Sequence, residues 1–255
     1  MANVIEIRGV RIGEGIPKII VPIVGVTKEE ILAAASSFKG VRLDLVEWRV
    51  DWFEGVFDFA RVEDVLKDLR PALGDNVPIL FTFRTSREGG EKAMEPEAYA
   101  KLNIHAARTG LIDLIDVEAF TGDGIVREII AEAHAAGVRV VASNHDFAQT
   151  PDKDDIVGRL RKMQELGADI PKIAVMPQNR KDLLALLSAT EEMVSDYADR
   201  PIITMSMAGT GLISRLCGEV FGSSCTFGAV GRASAPGQMN AADLDTVLKL
   251  IHKSL

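Results

Sequence analysis

The chain has 255 residues, is 47% hydrophobic and carries a formal charge of −8. That length suits one large α/β domain or two small ones with an ample core, and the acidic balance argues against broad contact with nucleic acid or an anionic membrane. Any anionic small molecule must be held by a local cluster of cations. Cys217 and Cys225 stand alone, without a C-x-x-C pair or a larger even set, and read as reduced thiols of a cytoplasmic protein. The first residues lack a basic stretch followed by an apolar core, so no signal peptide is expected. No apolar run approaches the ~18 residues that span a bilayer.

Residues 4–13 alternate and turn at Gly9, which predicts a short hairpin. An apolar strand is expected over 18–24. Thr27-Lys28-Glu29-Glu30 then reads as a capping box opening a helix over 27–38. The next strand, 41–50, ends in Glu47-Trp48-Arg49-Val50-Asp51, and period two puts Glu47, Arg49 and Asp51 on one face. A helix near 61–73 leads to a strand over 78–84 that ends at Arg84, followed by Glu88-Gly89-Gly90. A helix over 96–108 opens on Pro96. Strand 111–119 sets Asp116 and Glu118 on one face. A helix over 124–136 stops at Gly137, and strand 139–145 ends in Ser143-Asn144-His145. A helix over 154–166 stops at Gly167. Strand 170–176 carries Lys172, and a helix over 181–198 follows. Strand 201–207 ends in Met205-Ser206-Met207. A short helix near 213–220 contains Arg215. Strand 225–230 runs into Gly231-Arg232-Ala233-Ser234-Ala235-Pro236-Gly237-Gln238, and a helix over 241–253 closes the chain.

Eight strands alternating with helices imply a parallel sheet, and a closed (β/α)8 TIM barrel is the simplest arrangement. The whole chain, 1–255, then forms one domain, with the N-terminal hairpin plugging the barrel floor. The strands are apolar on both faces, as expected when helices cover the outside and side chains fill the inside. A doubly wound open sheet is the alternative. It would want a Gly-rich turn after the first strand, and Val24-Gly25-Val26-Thr27 offers one glycine.

In such barrels the chemistry lies at the C-terminal strand ends. Nearly every strand here supplies a polar or charged group to that rim. Lys172 is the most informative: it is a single amine in the apolar run Ile170-Pro171-Lys172-Ile173-Ala174-Val175. A desolvated amine is disfavoured as the ammonium, and a neutral amine attacks a carbonyl to form a Schiff base. The same lysine could instead be a structural partner for inward Asp116 and Glu118. It comes early in its strand, so it should sit deep with its stem reaching towards the mouth. His145 suits proton transfer near neutral pH, or a backbone-bonded cap. His105, His134 and His252 fall on helices and should be solvated. Glu47, Arg49 and Asp51 could be an ion-pair network, and Arg215 an ordinary helix residue. The 228–237 loop could be turn chemistry or a phosphate site, but Ser234, Gln238 and a nearby arginine suit a planar carboxylate better.

Together these segments resemble the type I 3-dehydroquinate dehydratases of the enteric bacterial kind. The likeness rests on Glu47-Trp48-Arg49-Val50-Asp51, Phe81-Thr82-Phe83-Arg84-Thr85 with Glu88-Gly89-Gly90, and Asp116-Val117-Glu118. It continues through Ser143-Asn144-His145-Asp146-Phe147, Pro171-Lys172-Ile173-Ala174, Met205-Ser206-Met207 with Arg215, and Ser234-Ala235-Pro236-Gly237-Gln238. The resemblance spans the chain and implies a TIM barrel, usually a homodimer, that dehydrates 3-dehydroquinate in the shikimate route without a metal or organic cofactor. It further implies Lys172 as the Schiff-base residue and His145 as the proton-transfer residue. Glu88 orients His145 and raises its basicity. Arg215, Ser234 and Gln238 take the substrate carboxylate, and Glu47, Arg49 and Arg84 the ring hydroxyls. Met205 and Met207 become apolar walls, and residues 234–238 a lid.

Overall fold

The computed structural model describes residues 4–231 and 234–255. Met1, Ala2 and Asn3 of the leading segment, and Arg232 and Ala233 of the loop after the last barrel strand, lie outside the described residues. The hairpin pairs β1 (Ile5–Ile7) with β2 (Val10–Ile12) antiparallel. Its two-residue turn places Arg8 and Gly9 at φ 48° and 81°, the left-handed pair that a tight hairpin turn requires.

The barrel strands are β3 (Lys18–Ile23), β4 (Leu45–Arg49), β5 (Ile79–Thr82), β6 (Leu114–Glu118), β7 (Arg139–Asp146), β8 (Ile170–Val175), β9 (Ile203–Ser206) and β10 (Cys225–Ala229). Each is parallel to the next from β3 to β9, and β10 joins β3. The ring closes between β9 and β10 through the parallel bridge of Ile202 with Ser223, with Ser224 N donating to Ile202 O at 2.8 Å and Ser223 Oγ accepting from Thr204 N at 3.0 Å. A two-residue strand, β11 (Met239–Asn240), adds to the far side of β10. It escapes sequence reading because two residues carry no periodicity.

The helices are α1 (Lys28–Ser37), α2 (Phe59–Leu73), α3 (Pro96–Arg108), α4 (Asp123–Ala135), α5 (Lys153–Glu165), α6 (Arg180–Glu192), α7 (Leu212–Leu216), α8 (Gly218–Phe221) and α9 (Ala241–His252). Thr27 caps α1 by accepting from Glu30 N at 3.3 Å, but the Glu30 carboxylate takes Val26 N rather than the Thr27 N–H of a reciprocal box. Asp58 caps α2 and starts it earlier than its apolar pattern suggests. The helix expected over 181–198 turns from α into a π segment, Met193–Tyr197. The helix expected over 213–220 breaks at Cys217 into α7 and α8. At the break Gly218 lies so close to the chain that a Cβ would sit 2.6 Å from Ser223 O.

Strand alternation sorts the interior into layers. Outward residues such as Val46, Trp48, Phe81, Ile115, Val140 and Ile173 pack beneath the helices. Inward Ile20, Leu45, Leu80, Leu114, Val141, Ile170, Ile203 and Cys225 form an apolar floor with Ile7 and Ile12 of the hairpin. Each of those two hairpin isoleucines contributes about 1.5–3 kcal/mol by leaving water. The hairpin is also pinned by Arg8 Nε, which donates to Asp113 Oδ1 at 2.6 Å. Above this floor the inward positions turn polar. No helix among the described residues is long and apolar enough to cross a membrane.

Candidate active site

The second and third inward layers hold the chemistry. Glu47 and Arg49 come from β4, Asp116 and Glu118 from β6, Ser143 and His145 from β7, and Lys172 from β8. Arg84 follows β5 directly. Glu88 reaches the site through a 3-10 turn, Ser86–Glu88. That turn is closed by Glu88 N and Gly90 N on Thr85 O at 3.0 and 2.8 Å. Its two glycines are required. Gly89 sits at φ 84°, and a Cβ on Gly90 would lie 1.9 Å from Arg84 O.

Six of these groups, not Asp116, Glu118 or Ser143, line a cavity of about 480 Å³, its open mouth included. Glu47, Arg49, Arg84, Glu88, His145, Lys172, Met205, Met207, Arg215, Ser234 and Gln238 all face it. The structure therefore brings every expected site residue together. Gly89, Phe147, Ala174, Phe227 and Ala235 complete the lining; all but Phe227 stand in segments that carry the resemblance, and only Ala235, within the 234–238 lid, has a role there.

Lys172 is 3% exposed at the base of the cavity. Its Nζ donates to Asp116 Oδ2 at 3.0 Å, lies 3.8 Å from Glu47 Oε1, and stands 4.8 Å from the centroid of the Phe227 ring. The structure supplies the geometry that each reading of this lysine asks for. It has a carboxylate partner, and it also has an open cavity above it. Glu118, the other proposed partner, goes elsewhere: it accepts from Thr85 N and Oγ1 and from Arg84.

Asp116 is the hub of the network. Arg84 Nη2 donates to it at 2.7 Å and Ser143 Oγ at 2.6 Å, opposite the Lys172 bond. Burial alone would push Asp116 up, but Arg84 and Lys172 override it and hold the carboxyl well below its usual range. Glu47 is oriented by Thr82 Oγ1 at 3.0 Å. Asp51 departs from the period-two expectation. It lies beyond the strand in the 3-10 turn Val50–Trp52, which folds its carboxylate back onto Arg49 in two 2.8 Å bonds. It fixes Arg49 and does not face the cavity.

His145 Nδ1 and its backbone N–H both lie 2.9 Å from Glu88 Oε2. A proton on Nδ1, assigned from that partner, leaves Nε2 as the basic nitrogen. Glu88 is hydrogen-bonded to His145, yet the net shift of the imidazole is not upward. Burial first, then Arg84 and Lys172, push the imidazole well below its ordinary value. Burial and these two cations thus outweigh the opposing pull of Asp116. Burial in turn pushes Glu88 up to about 7 against the opposing pull of Arg84. The other histidines are peripheral. His134 and His252 pair with Asp169 and Glu219, while His105 is half-buried against Phe59 rather than solvated.

Arg215 differs from the other cations. Arg49, Arg84 and Lys172 each rest on a carboxylate. Arg215 is 2% exposed and has no acidic partner among the described residues. Its Nη2 donates to Pro236 O at 3.2 Å, its Nη1 meets Met205 Sδ at 3.7 Å, and its Nε is unpartnered. Burial lowers it to about 10. A buried guanidinium with open donors beside a cavity is a seat for a carboxylate. The 234–238 segment covers it: Arg49 Nη1 donates to Ser234 O at 3.4 Å, and Ser234 and Gln238 bond each other side chain to side chain at 3.0 Å. Among the described residues no group of three or more His, Cys, Asp and Glu side chains is arranged to hold a metal ion.

The model of the type I 3-dehydroquinase family matches residues 19–255 of this chain. Over its full length the chain is similar to a solved type I 3-dehydroquinate dehydratase from Clostridium difficile, crystallised with covalent modified comenic acid. The two are 54% identical, with a TM-score of 0.97 and 100% of each chain covered. It is 55% identical to the 3-dehydroquinate dehydratase of Bacillus subtilis over 99% of this chain and 98% of that protein. It is 53% identical to that of Salmonella agona over 98% and 99%. The likeness therefore reaches beyond the enteric bacteria. With a parallel barrel, a lysine at the base of its cavity and a whole-length match, the chain belongs to the type I 3-dehydroquinase family.

Proposed function

We propose that this protein dehydrates 3-dehydroquinate to 3-dehydroshikimate through an imine on Lys172. It is then a hydro-lyase of the shikimate route to aromatic amino acids. The observation that carries the reading is the pairing of a solvent-starved amine at the base of the cavity with a buried guanidinium, Arg215, that has no acidic partner among the described residues. Together they fit a small molecule bearing a ketone at one end and a carboxylate at the other.

The Lys172 nitrogen attacks the C3 carbonyl carbon, and the carbonyl oxygen departs as water after two proton transfers, leaving an iminium. His145 takes a proton from C2, and the C–H electron pair moves into the iminium to give an enamine. Those electrons return to form the C1–C2 double bond as the C1 hydroxyl leaves. The hydroxyl takes a proton from His145 and departs as water. Water then hydrolyses the iminium and frees Lys172. General acid–base help of this kind contributes about 10²–10⁴ in rate. Asp116 suits the cationic stages, since its ionised carboxylate faces the nitrogen that carries the charge. Glu47, Arg49 and Arg84 are placed for the ring hydroxyls, and Arg215 with Ser234 and Gln238 for the carboxylate. Met205 and Met207 keep water from the amine, and residues 234–238 serve as the lid.

The covalent modification described for the clostridial relative supports a covalent route here. The protein is expected to work in the cytoplasm as a homodimer, the latter readable by light scattering. Adding 3-dehydroquinate should give a steady absorbance rise from a conjugated enone. Release of an aldehyde from a sugar phosphate, with no enone, would move the chain to an aldolase reading.

A further inference from the structure

Glu88 must be aimed precisely enough for its Oε2 to meet both the Nδ1 and the backbone N–H of His145, yet Oε2 alone does not fix a carboxylate. The other oxygen, Oε1, accepts from Asn144 Nδ2 at 3.1 Å. An amide can present either its oxygen or its nitrogen, and the wrong choice would set a carbonyl against the carboxylate. The choice is made from outside the cavity. Asn144 Oδ1 accepts from Arg159 Nη1 at 2.9 Å. Arg159 stands on α5 and is itself clamped by Asp155 through two bonds, 3.1 and 2.8 Å, with Asp146 at 3.8 Å. Arg159 does not line the substrate cavity.

We infer that Arg159 and Asn144 are positioning residues for the acid–base pair, acting through the chain Asp155–Arg159–Asn144–Glu88–His145. This rests on the dehydration proposed above. Arg159 fixes which end of the Asn144 amide faces inward, and the inward N–H favours the ionised Glu88 carboxylate and turns it to His145. The charged groups around Glu88 are Arg84 at 3.5 Å from the β5 end, Asp116 and Glu118 from β6, and His145 from β7. Arg84 is the one cation among them and is shared with Asp116 and Glu118. The Asn144 donor is therefore a support that Glu88 cannot replace from its other neighbours.

The test compares Arg159→Met, Arg159→Lys, Asn144→Leu and the double variant Asn144→Leu/Arg159→Met in the full-length enzyme. Arg159→Met should lower kcat several-fold with KM unchanged. It should also move the acidic limb of the kcat–pH profile upward, because Glu88 then needs a higher pH to ionise. Arg159→Lys should recover part of both effects. The double variant should be no slower than Asn144→Leu alone, since both residues act along one path. Unmoved pH limbs, or losses that multiply in the double variant, would overturn the assignment. Melting curves separate these outcomes from loss of fold, which Arg159→Lys is chosen to avoid. If the parent enzyme makes no enone from 3-dehydroquinate, it is the proposed reaction that fails, and the two failures are told apart.

Discussion

Arg215→Met is expected to abolish carboxylate recognition without weakening the fold. The guanidinium is almost fully buried and has no acidic partner among the described residues, so its removal strands no anion. Losing a buried partner for the substrate carboxylate should weaken binding by about 2–5 kcal/mol, which is roughly 30-fold to several thousand-fold in Kd. Stability should stay level or rise, because burial disfavours this charge. Arg84→Met is the contrast. Arg84 rests on Asp116 and Glu118, at 2.7 and 3.1 Å. Stripping it leaves buried carboxylates uncompensated, at a cost of about 3–5 kcal/mol, or a Tm lower by roughly 6–20 °C for a chain of this size. Calorimetric titration of 3-dehydroquinate together with thermal melts reads both. Unchanged binding in Arg215→Met, or a melting drop matching that of Arg84→Met, would refute the reasoning.

Three further outcomes are expected. His145→Ala should lose about 10²–10⁴ in kcat while still forming the imine slowly; near-normal turnover would remove histidine from proton transfer. Burial raises Glu88 from 4.5 to about 7, so the folded chain binds its proton more tightly than the unfolded chain does. That contribution to stability is complete below pH 4.5 and is lost as pH rises through about 7. Glu88→Gln keeps a neutral group there and should gain on the parent by up to about 3 kcal/mol across that window; a pH-independent difference in urea unfolding would contradict it. Gly89→Ala forces a left-handed residue to carry a Cβ that would lie 2.3 Å from the Phe147 ring. It should cost about 1–2 kcal/mol in backbone strain alone and lower kcat by displacing Glu88, and a variant with parental kcat would show that the turn does not aim that carboxylate.

The barrel was legible because its signals are local. Apolar strands of the right length, Thr27 and Pro96 at helix starts, and Gly137 and Gly167 at helix ends all lie within a few residues of what they control. The rim was legible because period two puts Glu47 with Arg49 and Asp116 with Glu118. What depends on contacts between strands was less visible. Asp116 stood in the sequence as one partner of Lys172, yet it also receives Arg84 and Ser143 from two other strands. The low basicity of His145 comes from burial and from Arg84 and Lys172, and neither cation is near it in the chain. Asn144 and Arg159 are 15 residues apart and meet only because α5 packs back over β7. Asp51 misled the alternation because the strand gives way to a 3-10 turn just before it. The split at Cys217 followed from a close approach of Gly218 to Ser223, which no propensity records.

Borohydride trapping tests the covalent route most directly. The enzyme is reduced during turnover of 3-dehydroquinate, its intact mass is measured, and the adduct is located by peptide mapping. The account predicts a stoichiometric mass gain on the peptide that contains Lys172, absent from Lys172→Met. An unchanged mass, or an adduct on any other lysine, would contradict it.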